Sequence, residues 1–294
     1  MTDARIHRHP ADGQSTPSIG LALGSGGARG LGHILALEAF DELGVKPKII
    51  AGTSIGAVYG AAYASGMTAR LIRSFTEETL GRRLDMVRQL IAARSTPVRK
   101  LLKLVPLRSA LLDAETLLDQ IYPSQVAKTF AALHIPLKVV ATDLRSRDAA
   151  VITVGPLHRA VAASIAIPVL FSPVAIRGRT LIDGGLVNPL PYDLIADDVD
   201  VTMAIDVNTS ATEADIGPNP SAVEVFISSI QILEKSLTRE KLKNRRPDIY
   251  VDVFLDRFHA LSFHKPHDLL AACAPIKETV KRHLDRIFNS VSGE

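Results

Sequence analysis

Lys48-Ile49-Ile50-Ala51-Gly52-Thr53-Ser54-Ile55-Gly56-Ala57-Val58-Tyr59-Gly60-Ala61-Ala62-Tyr63-Ala64 is the stretch whose reading decides the fold. Its first four residues form a short apolar run that predicts a buried strand, and the small-residue run from Ala57 predicts a closely packed helix. Ser54 stands at the turn between them, with a glycine two positions away on each side. A sharp strand-to-helix turn tolerates strained backbone only where its neighbours are small, and it pushes the serine hydroxyl out beyond the end of the strand. The helix N-terminus beneath that hydroxyl favours negative charge developing on oxygen. Ser54 is therefore a candidate nucleophile. Gly-x-Ser-x-Gly also occurs in ordinary glycine-rich turns, so the strand before it and the helix after it are what give the pattern its chemical meaning.

Upstream, the same alternation appears once more: an apolar strand (Ile19 to Leu23), a glycine-rich turn (Gly24 to Gly30) and a helix (Leu31 to Leu43). A β-α-β-α opening predicts an α/β fold with a mostly parallel sheet, helices on both faces, and ligands bound at the carboxyl ends of the strands. Downstream, helices are expected from Thr68 to about Leu80 and from Asp113, which can cap its own helix, to Ile121. Pro136 to Leu144 and Ala150 to Val154 read as paired strands, followed by a helix with Pro156 in its first turn. Phe171 to Ile176 and Thr180 to Asp183 read as a hairpin turning at Arg177-Gly178-Arg179, and Val199 to Val207 as a further buried strand. A polar loop (Thr209 to Pro220), a long helix (Ser221 to Arg245), a strand (Ile249 to Phe254) and a terminal helix (Pro266 to Ile287) complete the chain. With no internal repeat or interdomain linker, residues 18–290 are expected to form a single domain behind a flexible tail at 1–17.

The 294 residues are 47% hydrophobic and 22% charged, enough to bury a substantial core and too apolar for a disordered chain. Cys273 is the single cysteine, which rules out an intrachain disulfide and suits a reducing compartment. Met1 to Ser18 contains no apolar core of the kind a signal peptide has, and the longest apolar run is interrupted by Ser164, Pro168, Ser172 and Pro173. A cytoplasmic location is the resulting expectation. The net charge of +3 is too small to argue for a nucleic-acid partner. It is unevenly spread: Gly81 to Leu112 holds eight arginines and lysines against Asp85 alone, interleaved with aliphatic residues. Two readings of that segment stay open, a solvated helical face over the core and a surface that lies on an anionic lipid interface.

The first glycine-rich turn, Gly24-Ser25-Gly26-Gly27-Ala28-Arg29-Gly30, exposes several amides at a helix start and so can bind an anion. A phosphate cradle would need the P-loop lysine, which is missing, or a dinucleotide-binding glycine where Arg29 stands. An oxyanion hole beside the Ser54 elbow is the better fit. Arg29 either anchors its own loop or attracts an anionic head group. A nucleophilic serine needs a base, and the chain has nine histidines. His259, His264, His267 and His283 come late enough for a Ser-Asp-His order, but none occupies a distinctive turn, and each reads as a surface or packing residue. His33 reads as structural. Asp183, closing an apolar strand before Gly184-Gly185, is either an acid set at the sheet edge or an ordinary Asp-Gly turn. No His/Cys/Asp spacing suggests a metal site.

Four blocks taken in order, Gly26-Gly27-Ala28-Arg29-Gly30, Gly52-Thr53-Ser54-Ile55-Gly56, Ala163-Ser164-Ile165-Ala166-Ile167-Pro168 and Asp183-Gly184-Gly185, resemble those of the patatin-like phospholipases over about Ile19 to Pro191. The resemblance implies a three-layer α/β/α sandwich and a serine lipid acyl hydrolase of the phospholipase A, lysophospholipase or esterase type. It implies Ser54 as nucleophile, Asp183 as base in a Ser-Asp dyad, and the backbone of Gly26, Gly27 and Ala28 as the oxyanion hole; Arg29, read from the loop itself, stays a candidate substrate-binding residue. The Ala163 to Pro168 block is expected to pack near the dyad. No cofactor is implied, the substrate is a lipid acyl ester, and residues 81–112 become a candidate basic amphipathic lid in contact with anionic membrane. In a dyad the aspartate itself accepts the serine proton, so burial that raises its basicity is useful, and Asp183 should lie within hydrogen-bond reach of Ser54. A non-catalytic lipid- or acyl-ligand-binding regulator on the same fold is the alternative, and a nucleotide-binding protein the third choice.

Overall fold

Strands β1 (Ile19–Leu23), β2 (Ile49–Thr53), β3 (Leu137–Asp143), β7 (Val201–Asp206) and β8 (Ile249–Asp252) run parallel in the order β3-β2-β1-β7-β8. The computed structural model describes residues 16–92, 112–208, 220, 222–253, 255, 258, 260, 262, 263 and 265–292, with side chains except at 81–92 and 290–292. Nearly all of the tail at 1–17, the basic segment from 93 to 111 and the polar loop at 209–219 lie outside the described residues. Alternation along the strands sets the layers. Ile19, Leu21 and Leu23 of β1, with Met203 and Ile205 of β7, enter the larger core, while Ala22 and Ala204 face a smaller one formed with Leu190, Tyr192 and Ile195. Both faces are covered, as a parallel sheet requires. Helices α1 (Gly32–Glu42), α2 (Ile55–Ala64) and α8 (Ala274–Ser292) supply residues to the larger core, and α6 (Ala222–Asn244) brings Leu242 to the smaller one. The result is a three-layer α/β/α sandwich.

The remaining strands β4 (Asp148–Ile152), β5 (Val174–Ile176) and β6 (Arg179–Asp183) are antiparallel to their neighbours. β4 occupies one edge of β3 across Val139 to Asp143, so β2 and β6 share the other edge. β2 arrives from one direction and ends with Thr53 opposite Val140; β6 arrives from the other and ends with Asp183 opposite Ala141. Two strand ends meet head to head on adjacent positions of a third strand. Ser54 follows one of those ends, and Asp183 is the other.

Helix boundaries depart from expectation in two places. Helix α3 (Ala69–Ala92) runs well past Leu80. Gly81 inside it is unfavourable by about 1 kcal/mol relative to alanine, but no proline follows before Pro97, so nothing forces a stop. The terminal helix is instead two, α7 (Pro266–Ala272) and α8, parted at Cys273. Pro275 has no N–H to give and its ring would strike the carbonyl one turn earlier, whereas the first turn of a new helix accepts it. Asp113 does cap α4 (Ala114–Ile121), accepting from the amides of Glu115 and Thr116.

Candidate active site

Ser54 has φ 53° and ψ −122°, a conformation that costs a residue with a side chain about 1–3 kcal/mol and persists only where its surroundings impose it. Here the imposing neighbour is Gly56. A Cβ on that glycine would stand 2.1 Å from the Leu23 carbonyl oxygen, so only glycine lets α2 press against the end of β1. The Ser54 amide donates to Ser164 Oγ at 2.8 Å, and Ser164 Oγ donates to the Val140 carbonyl at 2.6 Å. Ser164 closes α5 (Leu157–Ser164), inside the block expected to pack near the dyad. Its bond to the Ser54 backbone is more specific than packing, and a serine in an alanine-rich run gave no local sign of it.

Ser54 Oγ donates to Asp183 Oδ2 at 2.7 Å. The other carboxylate oxygen of Asp183 accepts the Gly185 amide at 2.7 Å. Its backbone is fixed at both ends, the amide donating to the Ala166 carbonyl at 3.0 Å and the carbonyl accepting from Thr142 Oγ1 at 2.6 Å. Thr53 Oγ1 donates to the Asn188 carbonyl at 2.8 Å and ties the end of β2 to the turn that follows Asp183. Burial pushes the Asp183 carboxyl up to about 6, against the opposing pull of the Gly185 amide and the Ser54 hydroxyl. Such a carboxylate is ionised at neutral pH yet more basic than an exposed one.

The glycine loop after β1 packs against the elbow, where a Cβ on Gly56 would stand 2.8 Å from the Gly24 carbonyl oxygen and one on Gly30 2.3 Å from the Ile55 side chain, and the structure narrows its expected role. The Ala28 amide donates to the Ala260 carbonyl at 2.7 Å, so it is already committed and does not belong to an oxyanion hole. Among the described residues no acceptor is bonded to the amides of Gly26 (φ 157°) and Gly27 (φ 59°). Arg29 also departs from expectation as a substrate-binding residue. It is 2% exposed and Nη2 donates to Asn208 Oδ1 at 3.3 Å, so the guanidinium is buried and braces its own loop. His33, buried and driven down to about 4 by burial, is neutral and donates from Nε2 to the Gly24 carbonyl at 2.8 Å. It is a structural residue of α1 that holds the start of the loop. Among the described residues no histidine is bonded to Ser54; His267 is exposed and lies 3.7 Å from Glu77, while His259 and His264 fall outside the described residues.

An apolar cavity between α2 and α3 begins at Ile55, the residue after Ser54, and continues along Val58, Tyr59, Ile72, Phe75 and Tyr122. Among the described residues no cluster of His, Cys, Asp and Glu could hold a metal, and no helix is long and apolar enough to cross a membrane. One buried carboxyl close to the pair, Glu234 of α6, was not singled out from the sequence, where nothing distinguishes it from the exposed Glu240 on the same helix.

Comparison with known proteins adds a family. The family model described as patatin-like phospholipase matches residues 21–196. An uncharacterised NTE family protein of Mycobacterium tuberculosis is 38% identical over 216 residues, covering 71% of this chain and 55% of that protein. Patatin-like phospholipase domain-containing protein 6 of Homo sapiens is 30% identical over 202 residues, covering 68% of this chain and 14% of that protein. The chain thus spans about half the length of the mycobacterial relative, and much less of the human one. Among solved structures, VipD from Legionella pneumophila aligns with 92% of this chain and 67% of its own at 15% identity and a TM-score of 0.48. Since the family match runs from β1 past the Asp183 turn and takes in both strand ends that meet on β3, the chain belongs to the patatin-like phospholipase family.

Proposed function

We propose that this chain is a serine lipid acyl hydrolase, a carboxylic ester hydrolase of phospholipase A, lysophospholipase or esterase type, working through Ser54 and Asp183. The 2.7 Å hydrogen bond from a serine on a strained elbow to a buried carboxylate is the observation that carries the reading. Asp183 takes the hydroxyl proton as Ser54 Oγ bonds to the ester carbonyl carbon, and the charge that develops on the carbonyl oxygen faces the Gly26 and Gly27 amides. The C–O bond to the alcohol then breaks, with the proton passing from Asp183 to the leaving oxygen. Water, deprotonated by the same carboxylate, attacks the acyl-serine and frees the acid and the enzyme. The acyl chain has an apolar place to go in the cavity that starts at Ile55. The family membership supports a lipid ester as substrate, and residues 18–290 serve as the catalytic unit. The basic lid at 81–112 and its contact with anionic membrane rest on the sequence pattern alone.

Release of p-nitrophenol from short and medium acyl esters tests this. The wild-type chain turns over, and Ser54→Ala loses about 10⁴-fold or more. Binding of fatty acid without any Ser54-dependent turnover would replace the hydrolase with the regulator on the same fold.

A further inference from the structure

Glu234 lies in the middle of α6, yet it is 5% exposed. Oε2 accepts Asn208 Nδ2 at 2.9 Å, and the same Asn208 side chain accepts Arg29 Nη2 with its oxygen. Oε1 fills the space beside Gly185: a Cβ on that glycine would stand 1.9 Å from Glu234 Oε1 and 3.1 Å from Asp183 Oδ1. The two carboxyls therefore flank one glycine, whose amide is bonded to Asp183. The groups facing Glu234 come from four directions: Asp183 from the β6 turn, Ser25 and Arg29 from the glycine loop, Asp206 with Asn208 from the end of β7, and its own helix. On that helix Lys235 turns away to Asp206 and Asp252, and Lys241 to Asp193.

Two carboxyls this close in a dry setting do not both ionise readily. Burial, and then the charge of Asp183, push Glu234 up to about 8, while Asp183 stands at about 6. Near neutral pH the pair then shares one proton and one negative charge, and the two shifts favour the proton on Glu234.

We infer that Glu234 is a positioning residue that joins the glycine loop to the Asp183 turn and keeps a proton there, so that the oxyanion meets no second negative charge beside the loop. The inference rests on the hydrolase reading. At alkaline pH Glu234 ionises, its charge opposes the oxyanion, and turnover falls although Asp183 stays a competent base.

The test is kcat against pH from 5 to 10 with a p-nitrophenyl ester, for the full chain and its Glu234→Gln and Glu234→Ala variants, with Ser54→Ala subtracted as background. Wild-type kcat descends above about pH 8, whereas Glu234→Gln, which cannot ionise, holds its plateau. At pH 7 Glu234→Gln retains turnover to within about threefold and Glu234→Ala loses about thirtyfold, since only the amide keeps the bond to Asn208. An alkaline limb unchanged in Glu234→Gln overturns the inference. Infrared difference spectra at pH 7 read the proton without activity: the wild type shows a protonated carboxyl band that titrates away toward alkaline pH and is missing from Glu234→Gln. Absence of that band also overturns the inference, while absence of any Ser54-dependent turnover, with the band present, overturns the hydrolase reading and with it the effect on kcat.

Discussion

The two glycine-rich turns, Gly24 to Gly30 after β1 and Gly52 to Gly56 after β2, leave adjacent parallel strands at the same edge and lead into helices on the same face. They nevertheless present opposite chemistry. The second puts a side chain at its strained position, Ser54 at φ 53°, and uses flanking glycines to let the helix close in. The first puts glycines at its positive-φ positions and leaves the amides of Gly26 and Gly27 without an acceptor among the described residues, while the buried side chains of Arg29 and, from the start of α1, His33 brace it. On the proposed reading, a strand-to-helix turn serves as a nucleophile or an anion site according to which residue bears the strain and what is packed beneath it.

The largest way to break this contrast is at the partner of the elbow. Asp183→Asn keeps the shape but offers one acceptor oxygen where the carboxylate offers two, to Ser54 and to the Gly185 amide, and it removes the base, so kcat should fall about 10³-fold or more in the ester assay. In the wild type kcat/KM should rise with pH through about 6, where the buried carboxyl ionises, and level off above it. A midpoint at the ordinary aspartate value would show that burial does not raise the basicity of the ionising group. The stability linkage has the opposite sign. Because the folded value is raised, ionisation is harder in the folded state, so the stability Asp183 contributes is complete below about 4 and is lost as pH rises through about 6.

Next comes the loop. Gly27→Ala introduces a Cβ 2.4 Å from the Ala260 carbonyl oxygen at a φ of 59°, so the loop must shift and the oxyanion contact is lost. A fall of about 100-fold in kcat is expected, with little change in KM. Ser164→Ala should cost less, about tenfold in kcat and about 1–2 kcal/mol by denaturant unfolding, since it strips the acceptor from the Ser54 amide but leaves the dyad in place. Arg29→Lys gives the smallest catalytic effect. A buried brace predicts a lower Tm with KM unchanged for neutral and anionic esters alike, and a KM rise confined to anionic head groups would return Arg29 to substrate binding.

What the sequence made legible follows the range of the physics involved. The Ser54 elbow depends on residues within a few positions of one another, an apolar run, two glycines and a small-residue helix, so it could be read directly. Asp183 could not be told from an ordinary turn, because its place is set by the register of β6 on β3; only the ordered motif blocks singled it out. The commitment of the Ala28 amide depends on Ala260, which arrives from the far end of the chain. The inward turn of Arg29 and the burial of Glu234 likewise depend on Asn208 and α6 closing over the loop. By contrast, the break at Cys273 was present in the sequence as Pro275, a local signal outweighed by the apolar spacing around it.

The head-to-head meeting of β2 and β6 on one edge of β3 bears on how such a chain can diversify. Thr53, which precedes the proposed nucleophile Ser54, and Asp183, the proposed base, are paired to neighbouring rungs, Val140 and Ala141, and their spacing is set by β3 and not by the chain that joins them. Among the described residues, the chain from the end of α2 to the start of β3 adds no strand to that edge. Insertions or deletions there leave the spacing of Ser54 and Asp183 unchanged, so on the proposed hydrolase reading access to the serine can be reshaped apart from the geometry of the pair.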